Sequence, residues 1–232
     1  MAERSVHGVD MTDMPQWEAR FAVFLAENRH AEDAAHDAMH VRRVVANART
    51  LAEVEGANLT VVLPAAWLHD CVIVPKDSPE RAMASRLAAA AAGDYLHDVG
   101  YPAEPIPAIQ HAIEAHSFSA RIAPRTREAQ VVQDADRLDA LGAVGIARTL
   151  MLGGAMGTPL YDVNEPFPVA RIADDRANVL DHFFVKLLTL SGTMQTHAGR
   201  AEAERRTAFM RYYLAQLGEE IGMPTSGERE RS

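Results

Sequence analysis

A chain of 232 residues with 23 basic and 32 acidic side chains, formal charge −9, is long enough to bury a substantial core and too acidic overall for a nucleic-acid binder, which calls for a basic patch. It contains no uncharged apolar stretch of about 18 residues and opens on no continuous hydrophobic segment, so neither a membrane span nor a secretory signal is expected, and the cytoplasm is the expected compartment. β-branched runs are short and alanine-rich segments abound, which predicts an all-α fold of about seven to nine helices.

Helical periodicity starts at Trp17 and returns as far as about Gln216, leaving residues 1–16 as an N-terminal segment. In the first strong stripe, Val41, Val44, Val45, Ala48, Leu51 and Ala52 recur with a helical period. His40 lies four residues before Val44 on that inward face. After a break at Gly56-Ala57-Asn58, an apolar run over residues 63–68 closes on His69-Asp70. Burying an unpaired carboxylate costs several kcal/mol, and a divalent ion ligated by both side chains removes most of that penalty. The dipeptide therefore suggests a metal site. Cys71, the single cysteine, has no partner for an internal disulfide and reads as a small buried packing residue.

The next break, residues 72–79, carries Lys76, a cation close enough in sequence to Asp70 to reach a phosphate. Leu-His-Asp occurs again at residues 96–98, but Val99-Gly100-Tyr101-Pro102 follows at once, a turn that should end the helix and expose His97 and Asp98. His111 and His116, five residues apart, fall about 140° out of phase on an ideal helix, so they hold one ion together only if the helix ends between them. Ser117 and Ser119 suggest that the helix frays there, which puts His116 at a cleft edge as a general acid or phosphate ligand.

Beyond Pro124, two apolar stripes share one helical segment. Ala129, Val132, Ala140, Ala143 and Ala147 enclose Asp136, while Val131, Leu138 and Leu141 accompany Asp134, so spacing leaves the two aspartates tied. Residues 153–159 are glycine-rich without the Lys-Ser/Thr ending of a phosphate cradle, and suggest a lid. Leu180, Phe183, Phe184, Leu187, Leu188 and Leu190 then form a core stripe, with His182 and Lys186 four apart on one face; Phe209, Tyr212, Tyr213, Leu214 and Leu217 form a partner stripe. Residues 222–232 read as a disordered tail, and residues 17–221 as one domain with a core over about 30–152 and a helical extension over about 169–217.

Two histidines and two aspartates make a mixed nitrogen and oxygen ligand set. It suits Mn, Fe, Co, Ni or Zn better than an all-oxygen site does, and leaves room for a water that the ion would acidify into a nucleophile. His40 with Arg43-Val44, then His69-Asp70, then Asp134-Ala135-Asp136-Arg137-Leu138-Asp139 resemble, in order and approximate spacing, the HD-domain metal-dependent phosphohydrolases. That resemblance selects Asp136 over Asp134 as the last ligand. Residues 74–79, 113–119, 181–183 and 186–188 look like a bacterial YedJ/YpgQ-like subgroup, so the resemblance covers roughly residues 36–209.

The resemblance implies an HD-type helical bundle with a C-terminal helical extension and a divalent ion (Mn, Co, Ni, Fe, Zn or Mg), one per chain in preference to two, on His40, His69, Asp70 and Asp136. It implies hydrolysis of a small phosphorylated substrate, with a nucleotide as the expected partner and a homo-oligomer left open. Asp70 or Asp139 would take up a proton and His116 would assist the leaving group, while Arg43, Lys76, Arg137, His182 and Lys186 are the expected phosphate contacts. Some relatives use histidines such as His111 or His116 for a second metal. Alarmone hydrolases resemble His-Asp followed by a Glu-Asp pair, where this chain has Cys71-Val72-Ile73-Val74, which counts against that substrate. The alternative readings are a di-iron oxygenase and a non-catalytic nucleotide sensor.

Overall fold

A computed structural model describes residues 11–28, 38–74, 78–117 and 120–223. Among them all regular structure is helical, with no strand: α1 (Met14–Asn28), α2 (Ala38–Glu55), α3 (Leu59–Leu68), α4 (Ala84–Asp98), α5 (Ile106–His116), α6 (Arg127–Leu138), α7 (Gly142–Met156), α8 (Asp181–Val185) and α9 (His197–Glu220), with three short 3-10 helices. The all-α expectation is met. None of these helices is by itself long and apolar enough to cross a membrane. The chain divides into two compact units at Asp136/Arg137, inside α6.

In the first unit α3 is the central element, with α1, α2 and α5 packed around it and α4 laid along α5. A helix apolar all round is stable only when buried, and Val61 through Ala66 and Leu68 are buried. Asn58 caps its start by accepting a hydrogen bond from Thr60 N at 2.9 Å. Pro64 sits inside α3 and cannot donate to the carbonyl four residues back, that of Thr60. The Tyr101 hydroxyl donates to that carbonyl instead, at 2.6 Å, so the proline leaves no orphan. On α2 the whole predicted stripe is buried, His40 included.

In the second unit α7 packs on α9, and the 3-10 helix Leu187–Thr193 packs on both α8 and α9. Gly153 makes the first of these elements fit its surroundings: a Cβ there would stand 2.2 Å from Val179 Cγ2. The long connection after α7 is organised by Arg171, whose guanidinium pairs with buried Asp181 through its two terminal nitrogens at 2.5 and 2.6 Å.

Several expectations are corrected here. The stripe drawn from Ala129 to Ala147 belongs to two helices, because α6 ends at Leu138 and the chain turns through Gly142 at φ +69°, which resets the phase and leaves Ala143 and Ala147 exposed. Residues 153–156 are the last turn of α7, closed by Gly157 at φ +66°, rather than part of a lid. The extension is not helical from residue 169: helix resumes only at Asp181, and Lys186 lies beyond α8 at φ −134°, ψ −60°, so it does not share a helical face with His182. On α9, Phe209 and Tyr212 are 48% and 68% exposed while Met210 and Leu214 carry the buried face. At the N-terminal end, α1 starts at Met14, within the segment expected to precede the helices. Of the expected tail, residues 224–232 lie outside the described residues.

Candidate metal centre

Five side chains of the first unit converge. His40 comes from α2, His69 is the C-cap of α3 with Asp70 after it, His116 is the last residue of α5, and Asp136 lies near the end of α6. His40 Nε2 lies 3.4 Å from both His69 Nε2 and Asp136 Oδ1. Asp70 Oδ2 lies 3.4 Å from His69 Nε2 and 3.9 Å from His40 Nε2, and its Oδ1 lies 3.5 Å from His116 Nε2. Two triads, His40 with His69 and Asp136, and His69 with Asp70 and His116, each hold their ligand atoms within 4.8 Å of one another.

Ligand atoms about 2.1 Å from one ion at a tetrahedral angle lie about 3.4 Å apart, so these separations match a set sharing a divalent ion. The tautomers fit as well. His69 Nδ1 donates to the Ala66 carbonyl at 2.8 Å and His116 Nδ1 to the Ile113 carbonyl at 2.6 Å, so each ring turns an unprotonated Nε2 toward the cluster when neutral. Each bond also satisfies a carbonyl of a helix's final turn, which has no intrahelical donor.

The cluster is mutually polarised. Burial works against a charged His69, but the Asp70 and Asp136 carboxylates and the Ala66 carbonyl outweigh it and push its pKa up to about 9. Burial likewise opposes the charge on Asp70, while His69 and His116 hold its carboxyl well below the usual range.

The remaining candidates take no part in the two triads found among the described residues. Asp134 is fully buried and takes no place in either triad. His111 is half-buried, its Nε2 accepting from Arg125 N at 3.1 Å. Arg43 is half-buried one turn beyond His40, and Lys76 lies outside the described residues. In the second unit, Asp139 is buried and ion-paired with Arg148, and Arg137 donates to the Thr193 carbonyl. His182 Nδ1 lies 2.9 Å from Asp175 Oδ2 and Lys186 is exposed. His97 and Asp98 are exposed at the end of α4, and Cys71 is buried with its thiol donating to the Ala88 carbonyl at 3.4 Å.

Sequence reasoning assigned no part to Gln133 or Asn47. Gln133 Nε2 donates to the Ala115 carbonyl at 2.6 Å, and Asn47 Nδ2 to the Ala135 carbonyl at 3.3 Å, next to His116 and Asp136 respectively. The available signal was position: Asn47 is seven residues after His40 and Gln133 three before Asp136, both at helical repeats of a ligand.

Residues 38–141 match the HD domain, and YpgQ of Bacillus subtilis (strain 168) is 38% identical over 194 residues, 82% of this chain and 86% of YpgQ. The chain belongs to the HD-domain family. The crystal structure of B. subtilis YpgQ in complex with ADP superposes with a TM-score of 0.69 at 35% identity, covering 88% of this chain and 97% of that one. An HD-superfamily hydrolase from Bacillus thuringiensis gives a TM-score of 0.70 at 34% identity, covering 90% and 98%. Within the matched residues His69 is common to both triads and Asp70 belongs to the second.

Proposed function

We propose that this HD-domain protein is a metal-dependent phosphohydrolase acting on a phosphoester or phosphoanhydride of a small nucleotide. The convergence of His40, His69, Asp70, His116 and Asp136 carries the reading, and the ADP held by YpgQ supports a nucleotide as the ligand. A divalent ion bound there supplies Lewis acidity toward a phosphoryl oxygen and an acidified water.

The chain's own groups do the rest. Proton uptake is assigned to Asp70, whose carboxylate oxygens lie 3.4 Å from His69 Nε2 and 3.5 Å from His116 Nε2. Proton delivery to the departing oxygen is assigned to His116, Asp70's neighbour at the end of α5. Asp139 is engaged by Arg148, which leaves Asp70 as the base this reading relies on. Arg43, beside His40, and Lys76 are the cations assigned to the phosphate.

The test combines metal content of protein prepared without chelator with phosphate release from a panel of nucleotides, Mn²⁺, Co²⁺, Ni²⁺ and Mg²⁺ being added back in turn. About one ion per chain and metal-dependent release, both lost in Asp70→Ala, are expected. Two irons and no release would make the protein an oxygenase candidate, and tight nucleotide binding without turnover would make it a sensor.

A further inference from the structure

The end of α5 is held by two unlike donors. Its last four carbonyls have no intrahelical N–H; His116 Nδ1 takes that of Ile113 and the Gln133 amide, reaching across from α6, takes that of Ala115. Ser117 follows in extended conformation, so the chain departs from the helix immediately after the histidine. Gln133 thus ties the backbone beside His116 to α6, the helix that carries Asp136 three residues further on.

The amide's orientation is dictated by its neighbour. Exchanging its nitrogen and oxygen would aim Oε1 at the Ala115 carbonyl oxygen, acceptor against acceptor, so the nitrogen must face Ala115. Oε1 is then buried without a hydrogen-bond partner among the described residues. A buried acceptor left unpaired is unfavourable for folding, and a methionine of similar length would avoid it. What the glutamine adds over such a residue is its single donated bond.

We infer that Gln133 is a positioning residue for this centre: its bond to Ala115 anchors the last turn of α5 to α6 and so keeps His116 Nε2 against Asp70. The inference rests on the metal-dependent reading above. His116 Nε2 stands 3.5 Å from Asp70 Oδ1, so a displaced α5 terminus alters the contact made to the ligand Asp70 while His40, His69 and Asp136 still bind.

The probe is Co²⁺, whose visible absorption reports ligand number and geometry without any assay of turnover. In Gln133→Met the protein should stay folded, still take up Co²⁺, show a changed spectrum and bind about tenfold more weakly. In a His116→Ala background the same substitution should change neither spectrum nor affinity, because the residue through which Gln133 acts is gone. An unchanged spectrum and affinity in Gln133→Met, or an equal effect with and without His116, would overturn the inference. If Gln133→Met does not fold, Gln133→Leu, which is apolar and lacks the donor at any pH, carries the same comparison. Wild-type protein that takes up no Co²⁺ would instead bring down the metal-dependent reading itself, and the two failures are thus told apart.

Discussion

His69 concentrates the chemistry of the site in one side chain. It is fully buried, donates through Nδ1 to its own helix end, and faces two carboxylates and a second imidazole through Nε2. With its pKa at about 9, the metal-free protein carries a proton on this ring at neutral pH, and an incoming ion must displace it. Apparent metal affinity should therefore rise with pH up to about 9, by roughly tenfold per unit for one displaced proton, and calorimetric titration in buffers of different ionisation enthalpy would count that proton. The sign reverses for stability without metal. The folded pKa exceeds the ordinary 6.5, so this interaction stabilises the apo fold fully below that value and is lost as pH rises through about 9. Urea unfolding in chelator across that window checks it; a flat profile would mean that the carboxylates do not share His69's proton.

Elements differ in how they show themselves in a sequence. Helices with one clean stripe are the easiest, as in α2, where every residue of the predicted stripe is buried and His40 lies among them. Helix ends are harder, because a stripe can run on across a turn that preserves its spacing by accident: Ala129 to Ala147 reads as one helix although Gly142 interrupts it. Short helices are harder still. Hydrophobic residues from Leu180 to Leu190 occur at helical spacing, yet the chain leaves α8 at Lys186 and tightens into a 3-10 turn. The connection preceding α8 is ordered by charge rather than by apolar periodicity, through Arg171 and Asp181. Asp181 is buried, and although burial opposes its ionisation, the Arg171 guanidinium and Asp174 N hold its pKa below the usual range. Arg171→Met leaves that carboxylate without its cation and should cost about 3–5 kcal/mol at neutral pH. A depressed carboxylate pKa stabilises above its unfolded value and is lost as pH falls, so the difference between mutant and wild type should shrink in acid. Chemical denaturation at about pH 7 and about pH 3 measures both ends of this dependence.

For the whole molecule, an acidic chain acting on a nucleotide as proposed would depend on a bound cation to offset the repulsion. An ion held only by the folded state adds stability as its concentration exceeds its dissociation constant, about 2.7 kcal/mol at a hundredfold excess. The melting temperature should fall on chelation and recover with Mn²⁺ or Co²⁺. ADP should raise it further only when the ion is present, and an equal rise in chelator would place nucleotide binding away from the metal centre. Much of this architecture is legible in the amino-acid sequence. The all-α class, the His-Asp dipeptide at the buried end of an apolar run, the inward face of His40, and the exposure of the second Leu-His-Asp follow from helical phase and turn residues, which are local properties. Asp134 and Asp136 show the limit of such reasoning. Both lie on apolar stripes of α6, but only Asp136 stands 3.4 Å from His40, because phase says that a residue faces inward and not which helix it meets there. The same applies to His116, Gln133 and Asn47. Their roles depend on where α5 ends and on which unpaired carbonyls lie across from α2 and α6, and these distances between helices, unlike the 3.6-residue repeat within one, exist only once the chain has packed.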